Sequence, residues 1–120
     1  MKSLARLLFP AAAALLLASC ASAPPDPRPA PHYIELLDEP AISTFHFPPG
    51  LYSLGDTDQS GFYYTAPQPV VKHGFPGSIP YQGGIFMRRD NHRRLRGYVI
   101  WAGGRTKIGD VSNARYEFRD

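Results

Sequence analysis

The sequence predicts a mostly β domain, a small antiparallel β-sandwich or partly open barrel of five to seven strands. Three stretches carry that expectation. "GLYSL" and "GFYYTA" flank the loop Gly55-Asp56-Thr57-Asp58-Gln59-Ser60-Gly61, and aromatic-rich runs separated by a Gly/Asp loop read as a hairpin. Tyr98-Val99-Ile100-Trp101 is apolar on both faces, the pattern of a central strand covered on each side. In "ARYEFR" (114–119), Tyr116 and Phe118 share one face while Glu117 and Arg119 share the other, as in a half-buried strand.

Ahead of this domain come two segments of different character. Lys2 and Arg6 precede the apolar run from Leu7 to Ala18, which is shorter than the ~20 apolar residues a spanning helix needs and is interrupted by Pro10. A charged start, a short apolar middle and a small-residue end are the layout of a secretory signal peptide, expected over residues 1–19. The end itself, Leu17-Ala18-Ser19-Cys20, resembles the lipobox of bacterial lipoproteins, Leu-Ala-(Gly/Ala/Ser)-Cys. That resemblance implies that Cys20 is acylated through its sulfur and begins the mature chain. It implies a membrane attachment point, neither a nucleophile nor a metal ligand. A single acyl chain anchors only marginally, and the family typically carries more than one. Ala21 stands where an aspartate often signals inner-membrane retention, which leans towards a bacterial outer membrane, with the domain facing the periplasm.

Cys20 is the only cysteine, so no disulfide within the chain can staple so small a domain, and stability rests on apolar burial or on a partner. Residues 20–40 are expected as a lipid-anchored linker. Pro24, Pro25, Pro27, Pro29 and Pro31 favour stiff, extended polyproline geometry that could hold a domain some 40 Å off its lipid, at ~3.1 Å per residue. "YIELLDEP" (33–40) is expected to make one helical turn before Pro40 stops it.

The β domain proper is expected over residues 41–120. "ISTFHF" (42–47) alternates, and the Gly/Asp hairpin follows. Residues 67–84 hold four prolines and four glycines around Val70 and Val71, a long irregular connection with one short strand. "GIFMRR" (84–89) leads through a charged turn to "LRGYVIWA" (95–102). Gly103-Gly104 then breaks the chain before "RTKIGDV" and the last strand.

Charge is uneven along this mature part. Residues 20–71 carry one basic and six acidic residues, whereas residues 72–120 carry ten basic and four acidic ones. Such a split reads either as an electrostatic face or as pairing of two halves inside one fold.

Two constellations could carry chemistry. Asp56, Asp58, Ser60 and Gly61 match the first, third, fifth and sixth positions of a calcium loop, where alternate oxygens and a sharp turn suit a hard cation. The twelfth position, which should be a bidentate glutamate, is Pro67. A polar hairpin loop shaped by Asp and Gly explains the same residues, so Ca²⁺ is the weaker reading and no cofactor is expected. The second is the basic tip Arg88, Arg89, His92, Arg93, Arg94 and Arg96. Arginine forks match phosphate and carboxylate. An exported chain rarely meets nucleic acid, so lipid headgroups, peptidoglycan or an envelope protein are the expected partners. A solvated tip that blunts sheet edges is the plainer reading.

The four histidines are scattered, and Ser78 shows no partnered base. No nucleophile elbow or phosphate-cradling glycine motif occurs. Ala114-Arg115-Tyr116 resembles part of the Ser-Gly-Ala-Arg-Tyr signature of periplasmic lysozyme inhibitors, small β-barrel proteins. Asn113 replaces the glycine, and the family's cysteines are missing. The expectation is therefore a non-catalytic envelope lipoprotein that presents its β domain to an envelope component. A glycan- or calcium-binding module, or an inhibitor-like barrel, stands as the alternative.

Overall fold

The computed structural model describes residues 24–74 and 77–120; the lipobox and Cys20 lie outside them. The described residues form eleven strands and no helix. In chain order these are β1 (Tyr33–Leu36), β2 (Ala41–Ile42), β3 (Phe45–His46), β4 (Gly50–Thr57), β5 (Gly61–Thr65) and β6 (Val70–Lys72). They continue as β7 (Ile79–Tyr81), β8 (Gly83–Arg88), β9 (Leu95–Trp101), β10 (Gly104–Asp110) and β11 (Tyr116–Arg119). A seven-stranded sheet in the order β10-β9-β8-β5-β4-β1-β11 packs against a four-stranded one, β2-β3-β6-β7. Every pairing is antiparallel. The architecture is the expected small, unclosed sandwich, with more strands than the five to seven expected.

The core lies between the sheets, around Ile34, Tyr52, Tyr64, Ile85, Met87, Leu95 and Val99 of the large sheet, Val70 of the small one, and Phe47 just after β3. β8 is the strand buried on both faces: Ile85 and Met87 point into this core, and Phe86 joins Tyr63 and Tyr98 in a second cluster on the outer face. That role was expected of Tyr98–Trp101. Instead, β9 buries Tyr98 and Val99, while Ile100 and Trp101 are exposed past the covered part. Trp101 stacks on Tyr81 of β7, with centroids 5.8 Å apart.

Residues 33–36 are a strand, and no helical turn forms there. Ile34 and Leu36 are buried, and β1 pairs with β4 on one side and β11 on the other. The folded domain thus begins well before residue 41. The proline segment ahead of it is no free tether either. Tyr64 donates its phenol proton to the Pro31 carbonyl at 2.6 Å, and the Asp26 amide donates to the Arg89 carbonyl at 2.8 Å. Residues 67–84 supply two short strands, β6 and β7, where one was expected.

The two sheets meet where side chains are missing. A Cβ on Gly97 of β9 would lie 2.3 Å from the Phe47 ring, and one on Gly109 of β10 would lie 2.7 Å from Ile42. Phe47 is fully buried and has no room to retreat. The β9–β10 hairpin turns on Ala102 and Gly103, at φ 51° and 80°, rather than on Gly103-Gly104. Positive φ at both positions is a type I′ turn, which favours Asn-Gly.

Gly97→Ala should therefore destabilise by about 1–3 kcal/mol through overpacking, read as a lower urea midpoint, with partial recovery in the Gly97→Ala/Phe47→Leu double variant. Ala102→Asn should raise stability by about 0.5–1 kcal/mol by relieving a left-handed alanine. An unchanged melting temperature would show that the turn carries no such strain.

Candidate functional site

The outer face of the large sheet is built from alternate residues of β5, β8, β9 and β10. Register places Tyr63 opposite Phe86, and Lys107 opposite Tyr98. The three rings pack at centroid distances of 5.0 Å (Tyr63–Phe86) and 5.3 Å (Tyr63–Tyr98). Cations roof them. The Arg105 guanidinium lies 4.2 Å from the Tyr63 centroid, and the Lys107 ammonium 4.0 Å from that of Phe86. Cation–π contact and the apolar stems hold these charges over a rigid floor.

Beside this layer runs a groove of about 590 Å³, lined by Phe86, Arg88, Arg89, Asp90, Arg96 and Lys107, with Pro25 and the Gln59–Ser60 loop at its rim. Arg88 makes a bidentate pair with Asp90, at 2.9 and 2.6 Å. Arg89 donates to the Asp58 carbonyl at 2.7 Å and lies 5.3 Å from the centre of the Phe62 ring. Among the described residues, no carboxylate lies within ion-pair distance of Arg89, Arg96 or Lys107. The groove holds four cations against one carboxylate. Lys107 is the member that sequence reasoning missed: it is adjacent only through the β9–β10 pairing.

The basic tip does not act as one unit. Arg88, Arg89 and Arg96 face the groove. Arg94 pairs with Asp110 at 3.7 Å. Arg93 and His92 border a second hollow of about 400 Å³ with Arg28, Pro29, Tyr116 and Phe118. His92 is buried, contrary to its expected place on a solvated tip. Its ring meets Phe62 edge-on at 5.7 Å, and its Nδ1 has no hydrogen-bond partner among the described residues. Its backbone amide donates to the Asp26 carboxylate at 2.9 Å, and Arg28 holds the same carboxylate.

The calcium-type residues are spoken for. Asp58 Oδ1 accepts from the Ser60 amide and hydroxyl and from the Gly61 amide, and Oδ2 accepts from Tyr63. Asp56 pairs with Arg105 across the sheet face, because β4 continues through it to Thr57 instead of ending at Gly55. Ser78 does have a basic partner, His73 Nδ1 at 2.9 Å, and His73 meets His46 edge-on at 4.3 Å. Both Ser78 and His73 are exposed. Arg115 is tied to Asp38 just before β11, and Tyr116 opens that strand. No protein-family model, curated protein or solved structure matches the chain.

The charge asymmetry along the chain is largely internal pairing. Arg105–Asp56, Arg115–Asp38 and Arg119–Glu35 all join the basic half to the acidic one. The Arg28 side chain, then the His92 amide, holds the Asp26 carboxyl well below the usual carboxylate range. Ser60 and Tyr63 do the same for Asp58. His92 is shifted down from 6.5, chiefly by desolvation, with Asp26 opposing.

A depressed histidine is neutral in the fold and protonated more readily in the unfolded chain. Its contribution is therefore intact above pH 6.5 and is lost as pH falls through that value towards the folded pKa. The urea midpoint should fall between pH 7.5 and 5.5. It should fall again below about pH 4 as the unfolded carboxylates take up protons. His92→Phe should abolish the upper step and keep the lower one.

Proposed function

We propose that this chain is a lipid-anchored, non-catalytic protein of the bacterial cell envelope, held to the outer membrane through Cys20, that presents its β domain to anionic groups of an envelope component. The observation that carries the reading is the groove of Arg89, Arg96 and Lys107. These three cations lack carboxylate partners among the described residues, and Lys107 stands over the Phe86 ring of the packed aromatic layer. Natural surfaces usually intersperse the two signs, and this fold pairs most of its other arginines. Arg96 and Lys107 are exposed on neighbouring strands with their backbones fixed by the ladder. A phosphate or carboxylate oxygen entering between them would meet donors already in position.

A binding role fits these side chains better than a catalytic one. The one carboxylate of the groove, Asp90, is engaged by Arg88, which leaves no free base beside the cations. Among the described residues the exposed Ser78–His73 pair has no carboxylate on its imidazole, whose ring neighbour is His46.

Inorganic tripolyphosphate is a suitable first probe. It should bind the protein at low salt, weaken steeply as salt rises, and lose roughly tenfold or more in affinity in Arg96→Glu/Lys107→Glu, two exposed charge contacts worth up to ~1 kcal/mol each. Equal binding by the variant in calorimetry, at an unchanged melting temperature, would refute the groove as the site.

A further inference from the structure

The groove lies where the chain would leave for the membrane. Pro25 forms part of its rim. The next residue, Asp26, is fixed to the same turn by two contacts, its amide to the Arg89 carbonyl and its carboxylate to the His92 amide, while Arg28 of the strap holds the same carboxylate. Only residues 21–25 lie between Cys20 and Asp26, so the six steps along the chain reach no more than about 22 Å even when fully extended. Resting on the lipid-anchored, anion-binding reading above, this short reach limits which surface the groove can meet.

We propose that the groove is a membrane-facing site for the phosphates of phospholipid headgroups in the very bilayer that carries Cys20. The expected long tether would have left the domain free to turn any face to the lipid. A strap pinned at Asp26 removes that freedom and keeps Arg89, Arg96 and Lys107 on the anchored side. Charge complementarity selects the occupant, since the headgroup layer is the densest array of phosphates within that reach. Anchoring supplies the local concentration that a few surface cations lack by themselves. Trp101 and the exposed end of β7 lie at the other end of β9 from Arg96, about 16 Å along the strand.

The chain offers a built-in readout. From Cys20 onward its only lysines are Lys107, in the groove, and Lys72, on β6 of the other sheet. The full-length protein, purified with its anchor, is reconstituted into vesicles of phosphatidylethanolamine and phosphatidylglycerol or kept in neutral detergent. It is then acetylated with a membrane-impermeant succinimidyl ester and read by mass spectrometry. The ratio of Lys107 to Lys72 labelling should drop about fivefold or more in vesicles relative to detergent. An unchanged ratio overturns the membrane site, as does an unacylated Cys20 peptide in the same spectra.

Two further arms separate this inference from the reading it rests on. If tripolyphosphate protects Lys107 in detergent while vesicles do not, anion binding stands and the lipid source is wrong. Protection by peptidoglycan fragments but not by vesicles likewise overturns the lipid source and names the other one. If none of the three protects Lys107, both readings fall together.

Discussion

Phe47 on Gly97 is the contact from which the rest of this structure follows. A fully buried ring from the residue just after β3 rests on a backbone position of β9 that has no side chain. Ile42 meets Gly109 of β10 in the same way. Ring against backbone lets two sheets with few residues between them approach closely enough to exclude water from Ile34, Tyr64, Ile85 and Val99. A domain without disulfides depends on that closure. Once the small sheet has claimed the inner face of β8 and β9, their other face must be covered by what the strands themselves carry.

The outer layer is that second cover. Tyr63 packs edge-on against Tyr98 and at a tilt against Phe86, and Arg105 and Lys107 lie over Tyr63 and Phe86 as an amphipathic roof. Apolar stems shield the rings while the charged ends reach solvent. Burial and charge display are thus one arrangement: the aromatics that stabilise the sheet also hold the cations still. At the end of this layer the proline strap closes the structure. Asp26 satisfies the His92 amide and the Arg89 carbonyl of the turn and keeps Arg28 over a hollow shared with His92, so the strap, the turn and the groove behave as one unit.

Much of the fold was readable along the chain, and the misreadings have physical causes. The strands around "GIFMRR" and "LRGYVIWA" announce themselves because aromatic and β-branched residues lie between strong turn residues. "YIEL" did not, since four residues with two buried aliphatics fit a helical turn or a strand equally well. Only pairing with β4 and β11, both distant in sequence, decides it. Trp101 looked buried because apolar runs usually are, yet it lies where β9 outruns its cover. Asp56 and Asp58 read chiefly as one polar hairpin loop, with a cation loop as the weaker reading. The irregular step between β4 and β5 sends one to Arg105 and folds the other onto its own turn.

By itself the sequence determined the fold class, the order of most strands, the single cysteine that leaves no disulfide within the chain, and the presence of a basic turn. All of these depend on composition or on neighbours a few residues apart. Tertiary structure alone decided which cations stay unpaired, that Lys107 joins them, that His92 is buried, and that the prolines strap the domain instead of spacing it. Each of these rests on contacts between residues dozens of positions apart, and sheet pairing, which no local pattern encodes, brings them together.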